Sequence, residues 1–249
     1  MKTMRFHVLT LFPELIEQYM RTSIMGRAQQ KGLIEVETVQ IRDFSLNPHR
    51  NADDYPYGGG AGMVMQAQPV YDAWCSVTGG ESGRMRTIIP GPSGRVFDQG
   101  MAEDFAGEEE LLIVCGHYEG IDARVIASIA TDVVSVGDYV VSGGELPALL
   151  MMDAVARLVP GVLHNADSAL EESFEGGLLE YPQYSRPEEW NGMRVPDILL
   201  SGDHSRVDAY RRLEAIKLTY DRRPDLLANA DLSLEEVKFL LEYRRRSCN

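Results

Sequence analysis

Apolar and polar positions follow two different periods along this chain, and the switches between them mark its elements. Phe6-His7-Val8-Leu9-Thr10-Leu11-Phe12 is a short apolar run closed by Pro13-Glu14, which predicts a buried strand running into a helix start. A helix to about residue 20 follows, then a second helical piece over 25–31 stopped by Gly32, then an alternating strand over 33–41. Helical spacing returns over 66–75, and 79–84 reads as a surface loop. Thr87-Ile88-Ile89, Leu111-Leu112-Ile113-Val114-Cys115 and Val133-Val134-Ser135-Val136 are three apolar strands, each followed by a glycine-containing loop. Helices over 98–106 and 121–130 separate them. This alternation predicts an α/β domain with a mainly parallel sheet. In such sheets ligands sit beyond the carboxyl ends of the strands, so three such loops side by side would form one pocket.

Three stretches break the pattern. Residues 47–62 are polar and rich in turn formers, and they read either as a functional loop or as a disordered one. Residues 134–150 run from a β-branched segment through Gly137 and Gly143-Gly144 into an apolar helix that continues past Arg157 to Pro160. Glycine lets backbone N–H and C=O groups come close to a ligand, so this stretch predicts a small-molecule site. Residues 164–177 are acidic, small and aperiodic, as a linker or lid would be. Helical spacing resumes over 207–220 and 232–243, and Ser233-Leu234-Glu235-Glu236 reads as a helix start. The expected organisation is a first domain over 1–163, a linker over 164–178 and a helical domain over 179–249.

Composition bounds the chemistry. The 249 residues are 44% hydrophobic, enough for a real core. Cys75, Cys115 and Cys248 are far apart and odd in number, which predicts neither a disulfide framework nor a zinc site. No apolar run approaches the ~20 residues of a membrane span, and the first ten residues lack the apolar region of a signal peptide. A soluble cytoplasmic protein with no membrane partner is expected. The formal charge of −14 counts against a nucleic-acid partner on average, yet arginines gather late, at Arg206, Arg211, Arg212, Arg222, Arg223 and Arg244-Arg245-Arg246. These are either solvated helix faces or a local phosphate-binding patch. The common dinucleotide, P-loop, zinc-protease and serine-elbow signatures are missing.

Several motifs carry a resemblance. Tyr57-Gly58-Gly59-Gly60-Ala61-Gly62-Met63, Cys115-Gly116-His117-Tyr118-Glu119-Gly120-Ile121-Asp122 and Val136-Gly137-Asp138-Tyr139-Val140 with Ser142-Gly143-Gly144-Glu145-Leu146-Pro147 are joined by Arg157-Leu158-Val159-Pro160-Gly161. Further along come Gly177-Leu178-Leu179-Glu180-Tyr181-Pro182, Tyr184-Ser185-Arg186-Pro187 and Leu199-Leu200-Ser201-Gly202-Asp203-His204. In this order, over nearly the whole chain, they resemble the bacterial tRNA (guanine(37)-N1)-methyltransferases of the SPOUT superfamily. The resemblance implies an α/β fold whose mainly parallel sheet carries a deep C-terminal trefoil knot, followed by a small all-helical domain. It also implies a homodimer with active sites at the subunit interface, and transfer of a methyl group from S-adenosyl-L-methionine to N1 of guanine 37 in the tRNA anticodon stem-loop. Rival readings are a SPOUT enzyme acting on another RNA position, or a catalytically impaired RNA-binding relative.

Carried over by motif, the cofactor contacts are Ile89, Pro90, Gly91 and Gly94; Gly116, Tyr118, Glu119 and Gly120; and Val136, Gly137, Asp138, Tyr139, Val140, Val141, Gly143, Gly144 and Leu146. Read from the residues, Glu119 and Asp138 serve equally as loop-capping carboxylates or as ligand contacts. His117 stands where relatives often have arginine, either touching a ligand or capping a strand end. Methylating N1 requires removing its proton, so the site needs a base and a cation facing O6. The resemblance assigns the cation to Arg157 and the base to an aspartate in the linker, whose place Glu172 takes here, one methylene longer. Glu171 and Asp167 are the reserve candidates; without the motif Glu171 and Glu172 read as solvated linker charges, and with it Glu172 stands ahead. Gly62, Arg186, Arg211, Arg212 and Arg222 are the expected tRNA contacts. No metal site is assigned; a Mg2+ ion is compatible with the resemblance at the substrate, without protein ligands.

Overall fold

A computed structural model describes residues 2–163 and 173–247 of the chain. The chain folds as two compact units, Met1–Ala166 and Asp167–Asn249. Among the described residues no helix is long and apolar enough to cross a membrane.

The first unit is built on strands β1 (Met4–Thr10), β2 (Ile34–Gln40), β5 (Arg86–Val96), β6 (Glu110–Val114) and β7 (Asp132–Ser135). They form one sheet in the order β2-β1-β6-β5-β7, and every pairing in it is parallel. Because side chains alternate across a strand, neighbouring residues feed opposite layers. Phe6, Val8, Leu111, Ile113 and Ile88 enter a core with α1 (Pro13–Met20), α2 (Ser23–Gln30), α4 (Gln99–Ala106) and α6 (Glu145–Leu158). Leu9, Leu112, Val114 and Ile89 enter a second core with α3 (Ala67–Thr78) and α5 (Ala123–Ile129). These apolar runs are therefore buried on both faces, as the predicted parallel sheet requires.

Two features depart from the sequence expectation. The turn after Ile89 does not end its strand: β5 bulges between Pro90 and Arg95, then pairs with β7 again. Pro90 and Pro92 have no N–H to donate, and Gly94 lies so close to the Val133 and Val134 backbone that a methyl group there would overlap it. The 47–62 stretch is also tied at its base, because β3 (Asp53–Asp54) pairs antiparallel with β4 (Val64–Met65).

At the sheet edge Arg86 donates to both oxygens of Asp132, at 2.8 and 3.1 Å, lies 2.8 Å from Asp104 and covers the Phe105 ring at 4.5 Å. Its hydrogen bond holds the Asp132 carboxyl below the usual carboxylate range, against the opposing effect of burial. A depressed folded-state value means that the pair stabilises above the ordinary carboxylate pKa and loses that contribution as pH falls through the folded value. Arg86→Ala is thus expected to cost about 1 kcal/mol at neutral pH, or about 2–4 °C. The gap from wild type should persist down to about pH 5 and close in stronger acid. Thermal melts across that range check this, and an equal gap at all pH values would contradict it.

The second unit packs Leu178, Ala215 and Ile216 with Tyr181, Leu227, Leu232 and Leu240 between α7 (His204–Arg222) and α8 (Leu234–Ser247). The expected start of α8 is a reciprocal cap: Glu236 N donates to Ser233 Oγ, and Ser233 N donates to Glu236 Oε2 at 2.7 Å. The unit also holds a hairpin that the hydrophobic pattern does not predict, β8 (Glu189–Trp190) with β9 (Met193–Arg194). Its signal is Asn191-Gly192, whose φ values of 53° and 76° are those such a two-residue turn demands.

Candidate functional site

Strands β6, β5 and β7 are neighbours, so the loops leaving their carboxyl ends meet as the alternating pattern anticipates. They enclose a cavity of about 480 Å³, lined by residues 89–93, 116–121, 133–137 and 139–144 with Ile126 and Pro147. Its size is that of a small-ligand pocket, and its walls combine apolar side chains with glycine backbone.

The loop after β6 is held from outside. Glu119 N donates to Met63 O at 2.9 Å, Met65 N donates to Gly120 O at 2.9 Å, and Tyr118 adopts a left-handed φ of 60°. Such a conformation costs about 1–3 kcal/mol and persists only where its surroundings fix it. Gly62, at φ 86°, leaves room for the Glu119 side chain, because a Cβ there would lie 2.5 Å from Glu119 Oε1. Glu119 itself stays exposed at the pocket rim.

In the loop after β7, Gly137 has φ 139°, and the Tyr139 ring folds back over it. The Tyr139 hydroxyl donates to Val136 O at 3.1 Å. The chain then returns to β6, where Gly143 bridges His117 and Gly144 N donates to Gly116 O at 2.7 Å. There Glu145 is buried, accepts from the Thr10 hydroxyl at 2.6 Å and lies 2.8 Å from His117 Nε2. Burial, and next the Glu145 charge, push the nearby Cys115 thiol well up, so it remains protonated.

Most of the expected cofactor residues line the cavity: Ile89, Pro90 and Gly91; Gly116, Tyr118, Glu119 and Gly120; Val136, Gly137, Tyr139, Val140, Val141, Gly143 and Gly144. Gly94, Asp138 and Leu146 do not. Gly94 serves the close approach of β5 to β7, and Asp138 and Leu146 are exposed. Ile121, Ile126, Val133, Val134 and Pro147 line it without having been singled out. The signal for Ile121, Ile126, Val133 and Val134 is the apolar character of β7 and of the 121–130 stretch, and Pro147 follows the Gly143-Gly144 turn at the start of α6.

The expected catalytic cation, Arg157, is half-buried in the last turn of α6, and of the expected tRNA contacts Arg186 and Arg222 are exposed. In the second unit Arg211 lies 4.8 Å over the Tyr181 ring. Arg212 is engaged within the fold, donating to Glu236 at 2.8 Å and to Asp231 O at 2.7 Å. Glu172, Glu171 and Asp167 lie outside the described residues. Among the described residues no group of three or more His, Cys, Asp or Glu side chains is placed to hold a metal ion.

The family described as tRNA (Guanine-1)-methyltransferase TrmD matches residues 4–229. A tRNA (guanine-N(1)-)-methyltransferase of Moorella thermoacetica is 52% identical over 244 residues, covering 98% of both chains. Proteins of the same name from Clostridioides difficile and Latilactobacillus sakei subsp. sakei are 52% and 47% identical, covering 90% and 98% of this chain and 97% and 99% of theirs. The chain therefore belongs to the tRNA (guanine-1)-methyltransferase family and has its knotted SPOUT fold.

Proposed function

We propose that this protein transfers the methyl group of S-adenosylmethionine to N1 of guanine 37, 3′ to the anticodon of tRNA. The observation that carries the reading is the pocket made jointly by the glycine loops of three adjacent parallel strands, in a chain matched by its family over residues 4–229. The pocket's residues suit the donor. Ile89, Ile121, Val133 and Tyr139 offer apolar walls for adenine, Gly116 and Gly137 offer backbone groups at close range, and Glu119 sets a carboxylate at the rim for the sulfonium charge. When bound, S-adenosylmethionine supplies an electrophilic methyl group.

The chain's own task is to make N1 nucleophilic. Glu172 accepts the N1 proton, and Arg157 faces the charge that spreads to O6. Arg157 is ten residues along α6 from Pro147, the residue of that helix that lines the pocket, about 15 Å at the helical rise and beyond the reach of its side chain to that wall. A shared site on a homodimer resolves this. The half-exposed apolar residues Phe12, Leu15 and Tyr19 near α1 and Leu146 and Leu150 on α6 offer a surface for it, with Tyr19 and Asp153 hydrogen-bonded at 2.6 Å between the two helices. Exposed arginines such as Arg186 and Arg222 contact tRNA phosphates, while Arg212 holds α7 to α8. Any Mg2+ acts on the tRNA, without protein ligands. The reaction belongs in the cytoplasm, where free thiols such as Cys75 and Cys115 persist.

Labelled donor and unmodified tRNA bearing guanine or adenine at position 37 test this reading. Transfer to the guanine form alone is expected, and transfer to both or to neither would overturn it. Arg157→Ala should lower kcat by about 10²- to 10³-fold, weaken tRNA binding and leave the donor affinity unchanged. Single-turnover kinetics and donor calorimetry check this, and a wild-type rate would remove Arg157 from the site.

A further inference from the structure

The part-buried contact between Glu145 and His117 has no part in the chemistry above, yet it sits where the loops meet. Glu145 is 3% exposed, and its two oxygens face Thr10 Oγ1 at 2.6 Å and His117 Nε2 at 2.8 Å. Thr10 Oγ1 also accepts from Phe12 N at 2.9 Å. One carboxylate thus ties the end of β1, the loop after β6 and the first residue of α6. A carboxylate at this depth is costly unless paired, so the imidazole cannot leave it cheaply.

The pair also explains a glycine. A Cβ on Gly143 would overlap His117 Nε2 and lie 2.6 Å from Glu145 Oε2. The backbone conformation of Gly143 is not the reason, since its φ is not in the left-handed region. Gly143 is glycine so that the imidazole and the carboxylate can close over it.

We propose that Glu145 and His117 are positioning residues for the methyl donor: their contact, closed over Gly143, sets the separation of the two loops whose backbone atoms bracket S-adenosylmethionine. This rests on reading the cavity as the donor site. The contact holds a geometry and takes no proton from the substrate, so its loss weakens donor binding and spares the chemical step at saturation.

The test uses the full-length protein with calorimetric titration of S-adenosylmethionine, thermal melts and methyl transfer at saturating donor. His117→Ala should bind the donor about tenfold more weakly, with kcat within about twofold of wild type. His117→Gln, which keeps a donor toward Glu145, should recover most of the affinity. Gly143→Ala should weaken binding similarly, and the Gly143→Ala/His117→Ala double variant should be no weaker than the worse single one, because the two changes break one contact. Wild-type affinity in His117→Ala, additive losses in the double variant, or loss of fold in both His117→Ala and Glu145→Gln would overturn the proposal. Failure of the wild-type protein to bind S-adenosylmethionine would instead overturn the reading of the cavity.

Discussion

Gly144→Ala is expected to abolish measurable donor binding, although it adds a single methyl group. Gly144 has φ −77° and ψ −9°, which alanine adopts freely, so no backbone strain enters. The obstacle is space: a Cβ would lie 2.8 Å from Cys115 Cα and 2.8 Å from Gly116 N, both backbone atoms at the end of a central strand. No side chain can rotate away to make room. The Gly144 N to Gly116 O bond of 2.7 Å must lengthen, separating the two loops that enclose the cavity. Overpacking of this kind costs about 1–3 kcal/mol, and misplacing binding groups by about an ångström costs about a further hundredfold. Gly100→Ala is the control, because its Cβ meets only Asp98 Oδ1 at an ordinary 3.6 Å within α4, where alanine favours the helix. Calorimetry with S-adenosylmethionine should show wild-type affinity for Gly100→Ala and none for Gly144→Ala. Equal affinities would mean that the loops are not held as described.

The second large effect is expected at Glu172→Gln. A glutamine keeps the length and shape of the side chain and removes its basicity, so a lost general base should lower kcat by about 10²- to 10⁴-fold. Donor affinity should stay at the wild-type value, since the proposed role of Glu172 is toward the N1 proton of the substrate and not toward the donor. On the proposed reading Glu172 stands in for an aspartate one methylene shorter, so neighbouring carboxylates compete for the same role. Amide substitution at Glu171 and Asp167 therefore belongs in the experiment, with both variants expected to stay active. Rapid-quench single-turnover assays decide it, and full activity in Glu172→Gln moves the base to another group.

How much is legible in the sequence depends on range. Local elements are plain, because Pro13 opens a helix, Gly32 and Gly79 close others, and short apolar runs mark most of the strands. The pocket can be anticipated from three glycine loops, but the strand order that makes them neighbours cannot, since pairing partners leave no periodic trace. The same limit hides the reason for Gly143, which exists only once His117 and Glu145 come together across 28 residues of chain. It also hides why β5 resumes after Gly94, which follows from the Val133 backbone lying against it. The sequence offers Arg212 as a phosphate ligand but does not show that its guanidinium also donates to Glu236 and Asp231. By contrast, the Asn191-Gly192 hairpin has a readable turn, but strands of two residues carry no hydrophobic pattern to flag it.

The central claim is that one guanine nitrogen receives the methyl group. Unmodified tRNA should be incubated with the protein and S-adenosylmethionine, digested to nucleosides and resolved by chromatography with mass spectrometry. The account predicts 1-methylguanosine as the product, arising from position 37. A methyl group on ribose, on another base, or at another tRNA position would contradict it.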